Sequence, residues 1–397
     1  MEHDFDNLID RKNTNCIKYD FARERGKKED LIPLWVADMD FITPPQVIET
    51  LVNVSKHGIF GYSEVKEDYF LVLKKWFAKH YSWDISPAWL VKTPGVVFAI
   101  SMAVRAFTQE GDGVIIQRPV YYPFSESINS NNRNLINNPL VYENGEYHID
   151  YEDFEQKIIE NKVKLFILCN PHNPVGRVWT REELIRLGDI CVKHHVIVVS
   201  DEIHADFIHP GFKHLVFANL KPEFADITVT CTAPSKTFNL AGLQVSNNFI
   251  INHDLKIAFK KEIIKSGYSQ LNTMGLYACK AAYEFGEEWL EELKDYLHKN
   301  LEYVSAFLEK ELPMLHLVKP QGTYLLWIDF RSLNLSEADL EAFVTDQAKL
   351  WLDGGTMFGP EGLGFQRINM ACPRSILEKA LNQLKDAVLL MQSNCSI

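Results

Sequence analysis

The chain has 397 residues, of which 46% are apolar and 24% charged, and its formal net charge is −12. This length and composition predict a globular protein that buries a large core, with one large domain and a smaller one. The acidic residues are spread along the chain, which argues against a broad cationic surface, so we expect no nucleic-acid partner. The composition therefore favours chemistry on a small molecule.

The chain carries no recognisable targeting or membrane signal. Its first 15 residues fit neither a secretory leader nor a transit peptide, and no uncharged apolar run approaches the ~18 residues of a membrane helix. We expect a cytoplasmic protein with no membrane partner. The cysteines are scattered and never spaced C-x-x-C, which argues against a disulfide framework and against a metal site; they are Cys16, Cys169, Cys191, Cys231, Cys279, Cys372 and Cys395.

Strands and helices alternate through the middle of the chain. Apolar residues at helical spacing predict a helix over 96–107, and "VIIQ" predicts a strand over 114–117. Thr180 and Glu183 form a capping box for a helix that ends near His194. The alternation predicts an α/β fold with a mostly parallel sheet wound by right-handed crossovers. Apolar runs predict three further strands, at 164–169, 196–200 and 227–231.

The pattern changes beyond about residue 285. A long amphipathic helix runs toward Pro313, the segment 322–330 predicts a strand, and Ser336 caps a further helix. We interpret residues 285–397 as a smaller α+β domain. Residues 46–284 then form the large domain, and the segment 1–45 is predicted to join the small one.

Unusual residues follow three of the predicted strands. "NPHNPVG" follows 164–169, "DEIH" follows 196–200, and "APSK" follows 227–231, where the polar run after Phe238 leans toward helix. Ligands of wound α/β sheets bind at the carboxyl ends of the strands. The sequence therefore predicts a ligand site at this edge.

The residue types at this edge fit pyridoxal 5′-phosphate (PLP). The amine of Lys236 could form a Schiff base with its aldehyde, and Asp201 could face its pyridine nitrogen. Asn173 and His204 could contact its phenolic oxygen. Each residue alone also fits an ordinary role, such as a solvated lysine, a helix cap or an Asx turn. Their occurrence together, after predicted strands, favours the cofactor.

Three further motifs complete this hypothesis. "TPGVVFAIS" places Gly95 and Val96 at a helix start, where backbone N–H groups bind phosphate. "RPVYYPF" offers Tyr121 or Tyr122 as an aromatic face for the ring. Arg374, in "ACPRS", could pair with the carboxylate of an amino-acid substrate.

Along almost its whole length the sequence resembles fold-type I PLP enzymes of the aminotransferase class I/II superfamily, with a PLP-dependent transferase-like fold. The motifs "LWVADMDF", "GYSE", "PVYYPF", "CNPHNPVGRVW", "SDEIHADF", "SKTFNLAG", "QGTYLLWIDF" and "RINMACPR" resemble its cystathionine β-lyase or C–S lyase branch. The resemblance implies that PLP is the cofactor, bound by Lys236 as a Schiff base. It also implies that Tyr121 stacks on the ring and that Arg374 holds the substrate carboxylate.

The same resemblance implies a homodimer whose active sites lie at the subunit interface. Tyr62 matches the tyrosine that reaches the cofactor phosphate of the neighbouring subunit. Two positions depart from the family pattern. Ala233 stands where a small hydroxyl residue is common, and Gln244 stands where aminotransferases often carry arginine. Phosphate binding is therefore expected to depend on Ser235 and on residues that the sequence does not identify.

The resemblance implies a C–S β-lyase. In this hypothesis Lys236 forms the Schiff base and then removes the Cα proton of a cysteine thioether such as L-cystathionine. Loss of the thiolate leaves aminoacrylate, which hydrolyses to pyruvate and ammonia. An aminotransferase would use the same residues, and a regulator of this fold with secondary lyase activity is a third reading.

Overall fold

The structure is a computed structural model, which describes residues 3–394; Cys395 lies outside them. Its centre is a seven-stranded sheet. In chain order the strands are β1 (Leu90–Thr93), β2 (Gly113–Ile116), β3 (Asn134–Asn137), β4 (Leu165–Cys169), β5 (Ile197–Asp201), β6 (Thr228–Thr232) and β7 (Ser246–Ile250). Their spatial order is β1-β7-β6-β5-β4-β2-β3. All strands run parallel except β7, which is antiparallel to both neighbours. The predicted α/β fold with a mostly parallel sheet is confirmed.

Helices cover both faces of this sheet because its strands are apolar on both sides. In β4, Leu165 and Ile167 belong to one core cluster, whereas Phe166 and Leu168 belong to another. Successive strand residues point to opposite faces, so two apolar layers form. The longer helices are Pro45–His57, Glu67–Tyr81, Val96–Phe107, Pro123–Asn129, Tyr151–Glu160, Arg181–Lys193, His253–Lys265, Thr273–Phe285, Glu287–Glu311 and Arg374–Asn394.

One local prediction is wrong. The polar run after Phe238 makes only a short 3₁₀ turn, Ala241–Leu243, and then enters strand β7. Asn247 and Asn248 are fully buried there. The Asn248 side chain donates to the carbonyl of Val91 at 2.9 Å, so pairing with β1 outweighs local propensity.

The C-terminal part contains a four-stranded antiparallel sheet. Its strands are β8 (His316–Val318), β9 (Leu325–Asp329), β10 (Asp353–Gly354) and β11 (Phe365–Asn369), in the order β8-β9-β11-β10. It follows the long helix Glu287–Glu311, as the sequence predicts. Ser336 accepts a hydrogen bond from the N–H of Asp339 and caps the short helix Glu337–Ala342.

The N-terminal segment lies against this C-terminal part. Ile32–Pro33 pairs in parallel with Leu350–Trp351. The N–H of Asn369 donates to the carbonyl of Leu34, and the N–H of Asp40 donates to that of Ala371. The largest core cluster draws side chains from all three predicted ranges. The division at residues 45 and 284 stays a prediction.

The fold generates a stability prediction at Gly188, inside the helix Arg181–Lys193. A Cβ at Gly188 would overlap the buried ring of Phe224. Alanine normally favours a helix over glycine, yet Gly188→Ala should lower the free energy of unfolding by about 1–3 kcal/mol through overpacking. Denaturant unfolding measures this. Glu182→Ala, at an exposed position of the same helix, is the control; an unchanged or higher stability of Gly188→Ala would contradict the packing.

Candidate active site

The carboxyl ends of the central strands border a cavity of about 270 Å³. The loop after β4 supplies Asn173, the end of β5 supplies Asp201, and the short helix Pro234–Thr237 after β6 supplies Lys236. Parallel strands bring their carboxyl ends to one edge, which explains how residues distant in sequence meet. The cavity is lined by Ala37, Pro94, Gly95, Val96, Val97, Tyr121, Cys169, Asn173, Asp201, Ile203, His204, Ser235, Lys236, Ala241 and Gln244.

Lys236 is held by the N-terminal segment. Its Nζ donates a hydrogen bond of 2.7 Å to the carbonyl of Ala37. Burial, helped by the nearby positive charge of Arg367, lowers the pKa of the Lys236 amine to about 8, while Asp38 and Asp201 oppose the shift. The neutral, nucleophilic form of the amine is therefore abundant above pH 8.

Asp201 is a buried carboxyl at the cavity wall, 4% exposed. Burial raises its pKa to about 7, and the opposing influences are the N–H of Ile203, which donates to Oδ1 at 3.1 Å, and the charge of Lys236. A cationic partner in the cavity would favour the ionised form of this group. The protonated ring nitrogen of PLP would be such a cationic partner.

Tyr121, Asn173 and His204 lie along the same wall. The N–H of Tyr121 donates to the carbonyl of Asn173 at 3.0 Å, which fixes the two side by side. Burial lowers the pKa of His204 well below its ordinary value, so its imidazole is neutral. Its Nδ1 is buried and has no hydrogen-bond partner within the described part of the chain.

The phosphate-binding prediction falls at the start of the helix Val96–Phe107. Gly95 precedes it with a φ of 98°, which favours glycine, and lines the cavity with Val96. The first backbone N–H groups of a helix have no partner within it and bind anions well. Ser235 and Gln244 also line the cavity. Ala233 only precedes the lysine helix, without a capping side chain.

The structure does not place Arg374 at this cavity. Its Nε donates to Asn300 Oδ1 at 2.8 Å and its guanidinium lies 4.7 Å from the ring centre of Tyr303, against the long helix. Arg367 of β11 faces the site instead. Its Nη1 donates to Asn173 Oδ1 at 3.1 Å, and its Nε is buried without a partner in the described residues.

The feature that marks Arg367 is its burial, which the structure reveals and the sequence pattern does not. Arg367 stands in "FQRIN", a strand that is fully buried, and arginine is rarely buried without a specific partner. Its Nη2 donates to the carbonyl of Trp35 at 2.8 Å and to the carboxylate of Asp353. These contacts, which no local pattern reveals, orient the guanidinium.

Tyr62 lies away from the cavity of its own chain. Its side chain is 97% exposed, and the neighbouring Ile59 and Phe60 are also exposed. An exposed apolar segment of this kind is typical of a protein interface.

The residues at the cavity fit PLP. The unpaired Nδ1 of His204 and the buried carboxyl of Asp201 suit its polar ring atoms, and the helix start at Gly95 suits its phosphate. Lys236 supplies the amine for its aldehyde. Among residues 3–394, no group of three or more histidine, cysteine, aspartate or glutamate side chains could hold a metal ion, and no helix is long and apolar enough to cross a membrane.

Comparisons with known proteins agree with this fold. The family model for aminotransferase class I and II matches residues 29–384, and the chain belongs to this family. It is 44% identical to cystathionine beta-lyase PatB of Bacillus subtilis (strain 168), over 97% of this chain and 99% of PatB.

Two solved structures are similar over nearly the whole chain. Cystalysin of Treponema denticola, which contains a PLP cofactor, has a TM-score of 0.95 and 39% identity, covering 98% of this chain and 100% of cystalysin. The PLP-bound C–S lyase of Staphylococcus hominis has a TM-score of 0.90 and 34% identity, covering 98% of each chain.

The lowered pKa of Lys236 generates a labelling prediction. In the cofactor-free protein, reductive trapping of a small aldehyde on Lys236 should rise with a midpoint near pH 8, because the free amine predominates only above its pKa. Lys280 is the internal control: its hydrogen bond to the Asp68 carboxylate raises its pKa, so its labelling should begin at higher pH. Mass spectrometry of both peptides measures this. Equal pH dependence at the two lysines would contradict the assignment.

Proposed function

We propose that the chain is a PLP-dependent C–S β-lyase that cleaves L-cystathionine or a related cysteine thioether to pyruvate, ammonia and a thiol. The observation that carries the proposal is the cavity around Lys236, in which a low-pKa amine faces a buried carboxyl and an arginine with a free donor. The family and the lyase relatives support it.

The chain supplies a base for the Cα proton, a lysine that holds the cofactor, and an arginine that binds the substrate carboxylate. PLP, when bound, delocalises the electron pair that remains after the Cα proton leaves. Lys236 would hold the cofactor aldehyde and, once released by the substrate, would accept the Cα proton at Nζ. Asp201 would keep the ring nitrogen protonated, and Asn173 would donate to the phenolic oxygen through its amide.

The substrate carboxylate is assigned to Arg367. The unpaired Nε is the donor available for it, and a charge-assisted hydrogen bond there orients the Cα–H bond toward Lys236. The neutral imidazole of His204 would add a polar contact to the cofactor ring, and it would not compete with Arg367 as a second positive charge. With the proton held on Lys236 and the carboxylate held by Arg367, the substrate would be oriented for loss of the thiolate from Cβ.

We further propose a cytoplasmic homodimer in which Tyr62 contacts the cofactor phosphate of the partner subunit. The exposure of Tyr62 and of its apolar neighbours supports this arrangement. The six described cysteines are free.

The function is tested with purified PLP-loaded protein and L-cystathionine in the absence of any keto acid. Release of pyruvate, ammonia and free thiol in equal amounts over many turnovers is the expected result. If the lysine-bound cofactor converts only once to its amine form, and turnover begins only when a keto acid is added, the protein is an aminotransferase.

Matched variants of the two arginines test whether Arg367 rather than Arg374 binds the substrate carboxylate. Arg367→Lys keeps the charge but loses the planar fork, so kcat/KM should fall about 10–100-fold, since hydrogen bonds to charged groups contribute about 1.5–3 kcal/mol. Arg374→Lys should stay within about twofold of the unmodified protein. The visible absorbance of bound PLP confirms that both variants are loaded. A larger loss in Arg374→Lys than in Arg367→Lys would overturn the reassignment.

A further inference from the structure

An unpaired arginine lies close to the proposed carboxylate site. Arg25 is exposed, and no carboxylate among residues 3–394 forms an ion pair with it, whereas neighbouring Arg23 pairs with Glu29. Its guanidinium carbon lies 4.9 Å from the ring centre of Trp35. A cation fixed on an aromatic face, but without a counter-ion, is available to an anion.

Trp35 connects this cation to Arg367. The backbone carbonyl of Trp35 accepts the 2.8 Å hydrogen bond from Arg367 Nη2, and its indole carries Arg25. The indole is itself fixed, because it stacks on Trp351 with ring centres 4.4 Å apart and planes 12° apart. One rigid residue therefore separates the two guanidinium groups.

Arg25 also lies near Tyr122, the chain neighbour of the cavity residue Tyr121. Tyr122, whose ring centre is 5.5 Å from that of the cavity residue Tyr121, is within the electrostatic range of both Arg25 and Arg367. Tyr122 is only partly buried, so part of its side chain contacts solvent. A substrate that extends past Tyr121 toward Tyr122 would therefore approach Arg25.

We infer that Arg25, held on Trp35, binds the distal carboxylate of a thioether substrate that carries two carboxylates. This inference rests on the proposed lyase function and specifies its substrate class. The carboxyl carbons of L-cystathionine are seven bonds apart, roughly 8 Å in an extended chain at about 1.2 Å per bond. Arg367 takes the proximal carboxylate and Arg25 the distal one, so the pair selects for length and for charge at both ends.

The test compares two synthetic substrates that differ only at the distal end. S-(3-carboxypropyl)-L-cysteine keeps the distal carboxylate, and S-(3-aminopropyl)-L-cysteine replaces it with an amine. For Arg25→Gln, the ratio of kcat/KM for the first substrate to that for the second should fall about tenfold, as expected for loss of one charge-assisted contact. Arg25→Lys should restore part of the ratio, and Arg23→Gln should leave it unchanged.

Three other outcomes would argue against these assignments. If Arg25→Gln lowers kcat/KM equally for both substrates, Arg25 only supports Trp35, and the inference is overturned. If it changes neither value, the distal carboxylate binds elsewhere, and the inference is again overturned. If the unmodified, PLP-loaded protein cleaves neither substrate nor L-cystathionine, the proposed function itself fails, which is a separate result.

Discussion

The site depends on keeping one lysine amine away from bulk water and beside a positive charge. Burial and Arg367 together lower the pKa of Lys236 to about 8, so that the amine can attack an aldehyde and later accept a proton near neutral pH. The same burial raises the pKa of Asp201 to about 7. Two oppositely shifted groups at the ends of adjacent strands define a cavity prepared for a cationic, electron-withdrawing ring.

The N-terminal segment completes this environment from about 200 residues away in sequence. Ala37 offers its carbonyl to Lys236, and Asn239, three residues after the lysine, hydrogen-bonds both the N–H and the carbonyl of Met39. The fully buried Lys18 ammonium pairs with Asp40 at 2.7 Å beside this segment. Removing one partner of a buried pair leaves an uncompensated charge, at a cost of about 3–5 kcal/mol. The position of the Ala37 carbonyl is therefore fixed by polar contacts that the apolar core alone would not supply.

Sequence patterns correctly predicted the helices and strands that depend on interactions between residues close together in the chain. The strand over 164–169, the capping box at Thr180 and the placement of Lys236 after a strand all rest on periodicity, capping and turn chemistry, which act within a few residues. Strand β7 escaped prediction because its buried asparagines are satisfied by distant partners.

At the site, the positions of the arginines also could not be predicted from the sequence. Arg367 and Arg374 stand seven positions apart in one motif, and which of them faces the cavity is decided by Asn173, Trp35 and Asp353 on other elements. Arg25 carried no sequence signal, because its significance comes only from the indole beneath it. Residues whose positions depend on long-range geometry were the ones that sequence patterns did not place.

The central claim is that Lys236 both holds the cofactor and moves the Cα proton. The most direct measurement is pyruvate release from L-cystathionine by PLP-loaded Lys236→Ala, with and without an added small primary amine. We expect loss of the lysine Schiff-base absorbance, a fall in turnover of at least about 100-fold, and partial recovery that increases with amine concentration. Turnover close to that of the unmodified protein without added amine would contradict it.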